Sequence, residues 1–188
     1  MRMRRTLALA ATAALLAGCG DRNLVLKVDV LSFTPPASRQ QDFGPIPAFP
    51  GGIVTGEIPV VDDQHVSLLA GLSDAAVIKS VTLSYSALVM DFTGAGEDTL
   101  RVYMSDEATN PRATAPVLTQ AVTLTPGVTD TLRAVLGDDP RVMALFAAKA
   151  MRMSVTTALR GPSSGPALTG RFLLTAFDAV VIAGYKGF

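Results

Sequence analysis

Tryptophan is absent from the 188-residue chain, and cysteine and histidine each occur once. Charged residues make up only 17% of it. Each shortage excludes something. One cysteine cannot build a disulfide framework or a multi-cysteine zinc or iron–sulfur site. One histidine, His65, leaves no imidazole-rich transition-metal site, and no cofactor is expected. Without Trp there is no immunoglobulin-type Cys–Trp–Cys core. With only three Tyr, the aromatic platform of a carboxylate-pair glycosidase is thin. Sixteen Lys and Arg balance sixteen Asp and Glu, so no basic field recruits nucleic acid. No Gly-x-Ser-x-Gly elbow offers a serine nucleophile to His65, and the chain reads as non-enzymatic. Against these gaps stands an apolar fraction of 49%, too high for a disordered chain.

The N-terminus has a pattern of its own. Arg2, Arg4 and Arg5 precede an uncharged run from Thr6 to Leu16, closed by Leu16-Ala17-Gly18-Cys19. A basic start, an apolar stretch and a small-residue cleavage site make a secretory signal peptide. The stretch has about 11 residues, and a membrane-spanning helix takes roughly 20.

Leu16-Ala17-Gly18-Cys19 resembles the lipobox of bacterial lipoproteins, over residues 1–20 only. The resemblance implies thioether diacylation of Cys19 and cleavage before it by the lipoprotein signal peptidase, with Leu16, Ala17 and Gly18 as the recognition residues. It also implies acylation of the new amino group by a fatty acid such as palmitate. Small side chains at 17 and 18 let a protease draw the extended backbone close. Several acyl chains on one residue exceed the two-signal threshold for stable anchoring. The division expected is a signal peptide at 1–18, an acylated cysteine and short tether at 19–23, and one domain at 24–188. Removing 1–18 takes away three of the sixteen basic residues, so the body is mildly acidic and the lipid must do the anchoring. Gly20 follows the cysteine, with Asp21 one place later. That order favours the outer membrane, facing the periplasm or exterior, over the inner one.

The body reads as short strands. Leu24, Leu26, Val28 and Val30 alternate with Lys27 and Asp29 in the segment up to Phe33. Residues 34–56 form a Pro/Gly-rich loop in which Phe43, Ile46 and Phe49 are expected to pack down. Its Pro47-Ala48-Phe49-Pro50 is an extended loop rather than a polyproline ligand. Ile53 to Val61 reads as an edge strand, and Gln64 to Leu72 is open between strand and helical turn. Val77 to Phe92 is the longest strand signal, with Val77, Val81, Leu83, Tyr85, Ala87 and Val89 on one parity. It is long enough to contain a bulge. Thr93 to Asp98 reads as a turn that makes a β-hairpin with Thr99 to Met104. Further strands are expected at 117–124, 128–136, 153–159 and 171–182, the last apolar on both faces and so central.

One short helix is expected near 139–151, with Asp139 as N-cap and Pro140 at its first position. The fold expected is mainly β, an antiparallel β-sandwich of about seven to nine strands.

Acidic pairs at Asp62-Asp63, Glu97-Asp98, Asp106-Glu107 and Asp138-Asp139 suit exposed turns. Asp62, Asp63, Asp138 and Asp139 are also the calcium candidates, since exported sandwiches hold calcium in end loops with oxygen ligands. The function expected is a lipid-anchored envelope module that binds a protein partner. The alternatives are a carrier of lipid or another apolar ligand under the helix at 139–151, and a calcium-dependent envelope module. The membrane, through the acylated cysteine, and an envelope protein or lipid are the partners expected; nucleic acid is not.

Overall fold

The computed structural model describes residues 23–67, 76–148 and 150–185. Among them run nine strands: β1 (Asn23–Asp29), β2 (Gln40–Ile46), β3 (Ile58–Ser67), β4 (Ala76–Met90), β5 (Gly96–Ser105), β6 (Leu118–Leu124), β7 (Asp130–Leu136), β8 (Ala150–Arg160) and β9 (Leu168–Tyr185). One helix, α1 (Pro140–Ala147), joins β7 to β8. One sheet has the order β1-β9-β4-β7, with β2 also on β9; the other has the order β3-β8-β5-β6. All strand pairs are antiparallel. The two sheets bury one common core and form a β-sandwich.

Alternation decides which residues enter that core, and bulges move the alternation. On β4 Val81, Leu83, Tyr85, Ala87 and Val89 point inward and are buried. The register shifts between Ile78 and Ser80, so Val77 lands opposite Gly184 on the outer face and is 40% exposed. That corrects the parity expected for Val77, because one extra residue reverses the facing of everything before it. A second shift, between Ser86 and Ala87, leaves Thr175 of β9 unpaired, and its hydroxyl donates to the Ser86 carbonyl at 2.9 Å. Below that point Phe172 and Leu174 face inward; above it Phe177, Ala179, Val181 and Ala183 do. The change of parity is why β9 reads as apolar on both faces, and β9 is central as expected.

Three expectations are revised. The hairpin across residues 93–98 is not one: β4 pairs with β7 and β9, whereas β5 pairs with β6 and β8. The connection crosses between the sheets. Phe92 tucks into the core at 6.2 Å from the Phe43 ring, and the Thr93 hydroxyl donates to the Ala167 carbonyl. Gly94 passes so close that a Cβ there would stand 2.7 Å from the Pro166 carbonyl oxygen. The loop at 34–56 holds a 3-10 turn (Pro36–Arg39) and strand β2. β1 covers β9 only from Asp178 to Gly184, and β2 supplies the ladder for Leu168–Leu173. Phe43 and Ile46 are buried as expected, but Phe49 is 56% exposed. Finally, α1 stops at Ala147, short of 151. Met151 already belongs to β8, where its inward alternation with Met153 and Val155 buries all three.

The Met and Phe residues are largely core. Met104, Met151, Met153, Phe146, Phe172 and Phe177 are buried, each contributing about 1.5–3 kcal/mol. α1 buries Val142 and Phe146 against β4 and β8, with Met143 and Leu145 packed beside them.

The topology gives the sandwich two distinct ends. β1 begins at one end, where Asn23 stands level with Gly184 and Val77. α1, the end of β3 and the start of β8 share that end. The loops at 47–57, 91–95, 125–129 and 161–167 gather at the other.

Candidate functional site

Cys19 and its neighbours Leu16, Ala17 and Gly18 lie outside the described residues. The four calcium candidates lie within them, and each is already engaged. Asp62 pairs with Arg112 at 3.2 Å. Asp63 adopts a left-handed φ of 42°, at the second irregularity of β3. Asp tolerates that conformation, and it turns the carboxylate onto Arg152, whose Nε donates at 2.6 Å. Asp138 accepts from the Val81 backbone N–H at 3.0 Å. Asp139 caps α1 as expected, accepting from the N–H groups of Arg141 and Val142 at 2.8 and 3.3 Å. Against partial burial, which raises it, the Arg141 guanidinium and those backbone contacts hold the Asp139 carboxyl below its ordinary range. Among the described residues no group of three or more His, Cys, Asp or Glu side chains is placed to hold a metal ion. His65 is exposed and meets Glu107 on the loop after β5 rather than a serine.

Two polar clusters escaped the sequence reading. On the outer face of the β3-β8-β5-β6 sheet, the Glu57 carboxylate accepts from Arg101 Nη1 at 3.0 Å, Tyr103 Oη at 2.7 Å and Thr156 Oγ1 at 3.0 Å. Burial, then the hydrogen bond and charge of Glu57, push the Tyr103 phenol above its ordinary pKa. A carboxylate with three donors and a phenol held protonated supply neither base nor nucleophile. They fasten the segment before β3 to β5 and β8.

The second cluster is inside. Asp98 is 0% exposed, accepts from the Thr157 hydroxyl and leaves its Oδ2 without a partner. Burial pushes its carboxyl up to about 6 from 3.8, against the lowering effect of the Thr157 and Thr99 hydrogen bonds. From the facing sheet Tyr85 reaches over to donate to Gln120, and burial together with the Asp98 charge pushes its phenol up to about 12. The pair Glu97-Asp98 has the composition of an exposed turn, yet Asp98 lies inside. Its parity with Leu100, Val102 and Met104, all buried, is the signal that places it inward.

The loop end carries an open depression of about 470 Å³, lined by Gly51, Gly52, Gly96, Glu97, Arg160 and Ser163 among others. Arg160 is spent on Glu97 at 3.8 Å and on the Gly51 carbonyl at 3.1 Å, so the depression offers no net charge. Phe49 and Val54 are exposed on the adjoining loop, at 56% and 67%. No helix among the described residues is long and apolar enough to cross a membrane.

No family model and no curated protein matches the chain. Among solved structures it is similar to a chain of infectious bursal disease virus, Gx strain, at 12% identity and a TM-score of 0.42, over 97% of this chain and 38% of that one. The T=1 particles derived from that virus match at 14% identity and a TM-score of 0.37, over 97% and 41% of the two chains. The VP2 subviral particle matches at 15% and 0.37, over 96% and 42%. The chain thus spans less than half the length of each of these neighbours.

Proposed function

We propose that this protein is a lipid-anchored envelope lipoprotein whose β-sandwich is a non-enzymatic binding or structural module for a protein partner. The observation that carries the reading is Leu16-Ala17-Gly18-Cys19, set at the end of an uncharged run behind three arginines, with Cys19 the chain's single cysteine. A free-thiol role explains neither the position nor the singularity. The fold supports a body that begins directly after the anchor: β1 starts at Asn23 and pairs with β9 along its whole length. Gly20 after the cysteine favours the outer membrane, facing the periplasm or exterior. The partner role is preferred over the apolar carrier because the inner face of α1 is occupied. Val142 and Phe146 are 1% and 0% exposed, so the helix closes on the core. Growth with a radiolabelled fatty acid tests the anchor. Label in the wild-type protein but not in Cys19→Ser supports the reading; equal label in both, or none in either, refutes it.

A further inference from the structure

We propose that the end of the sandwich where β1 begins is a membrane-contact surface, with Val25, Val77 and Lys79 resting on lipid headgroups. The inference rests on acylation of Cys19. Three residues, 20–22, separate that cysteine from Asn23, and the four Cα-to-Cα steps between them span at most about 14 Å in extended chain. An acylated Cys19 therefore holds the first residue of β1 within one headgroup layer's reach of the bilayer. β1 cannot swing away, because each of its residues is paired with β9.

The surface that the strand start presents is suited to that place. Asn23, Gly184 and Val77 form one row across the outer face of the sheet, and Val25, Ile182 and Ser80 form the next. Val25 and Val77 are 47% and 40% exposed. The bulge at Ile78 and Ser80, which turns Val77 outward, leaves Lys79 between them as the extra residue. The Lys79 stem crosses β9 above Gly184, where a Cβ would meet its Cε at 2.4 Å, and its ammonium donates to Asn23 Oδ1 at 2.7 Å. The charge is thus fixed beside the residue nearest the anchor. Lys27 stands one row further in, 3.8 Å from Asp178, which offsets it. Exposed apolar side chains flanked by a positioned lysine form the composition that an anionic interface attracts. With β4 running about 48 Å from Ala76 to Met90 at roughly 3.4 Å per residue, Phe49 and Val54 face away from the bilayer.

The acylated protein itself provides the test, since a blocked Cys19 makes any introduced cysteine the sole free thiol. Val77→Cys and, at the far end, Val54→Cys are labelled with a fluorophore and reconstituted into phosphatidylcholine–phosphatidylglycerol vesicles containing spin-labelled lipid. Quenching at 77 that exceeds quenching at 54 by about threefold or more supports the proposal, as does a drop of about half at 77, in low salt, on adding Lys79→Glu. Equal quenching at both sites, or more at 54, overturns it while one label per chain leaves the anchor intact. Two labels per chain would mean a free Cys19, and would remove the lipoprotein reading and this proposal together.

Discussion

Asp98 should make the body less stable as pH rises. Its carboxyl titrates at about 6 in the folded chain against 3.8 ordinarily, chiefly because burial penalises the charged form. Between those values the folded chain holds a proton that the unfolded chain has released. Unfolding free energy therefore falls with increasing pH through this window. Its full value is present below about pH 4 and the loss is complete above about pH 6 to 7. A shift of about two pKa units corresponds to about 3 kcal/mol. The carboxyls of Asp106 and Asp139 lie below their ordinary range and act in the opposite sense, stabilising above the unfolded pKa. They are common to wild type and variant and cancel in the difference. Asp98→Asn keeps an oxygen for the Thr157 hydroxyl but cannot ionise. Urea unfolding of both chains, from Gly20 onward, should give a difference that grows in favour of the variant by about 3 kcal/mol between pH 4 and pH 7. Parallel pH profiles would refute the argument, for they would mean that Asp98 titrates alike in the folded and unfolded chains.

Other outcomes follow from the same packing. Phe177→Ala, emptying a fully buried site on the central strand, should cost about 3–5 kcal/mol in urea unfolding. Glu57→Gln removes the charge that gathers Arg101, Tyr103 and Thr156 and should cost about 1.5–3 kcal/mol. The Tyr103 phenol should then titrate closer to its ordinary range, read by ultraviolet absorbance, because burial alone still raises it. The amides of Leu24 to Val28 that point at β9, every second one on this edge strand, should exchange as slowly as those of other paired strands; exchange at all five as fast as at Ser163 to Gly165 would contradict a docked first strand.

The sandwich and its central last strand were legible because burial on one face imposes a period of two, and Leu24 to Val30, Val81 to Val89 and Thr99 to Met104 keep it. The Asp139–Pro140 start of α1 was legible because capping is local chemistry. What failed was what depends on partners distant in sequence. Val77 follows the inward parity in sequence, and only the bulge opposite β9 turns it out. Residues 93–98 have hairpin composition, yet buried Phe92 and the Thr93 contact with Ala167 send the chain to the other sheet. Met151 continues the apolar helix pattern, but pairing with β3 claims it for β8. Nothing local to Glu57 announces three donors that arrive from β5 and β8. Asp98 was the recoverable case: its alternation with Leu100 and Val102 outranked the turn character of the pair it belongs to.

Whether the proposed anchor at Cys19 exists is decided by the N-terminal peptide of the protein extracted from its own membrane. Mass spectrometry should find a peptide that begins at Cys19 and carries a diacylglyceryl group on sulfur and a fatty acyl group on nitrogen. An intact segment from Met1 to Gly18 joined to a Cys19 with a free thiol would contradict the account.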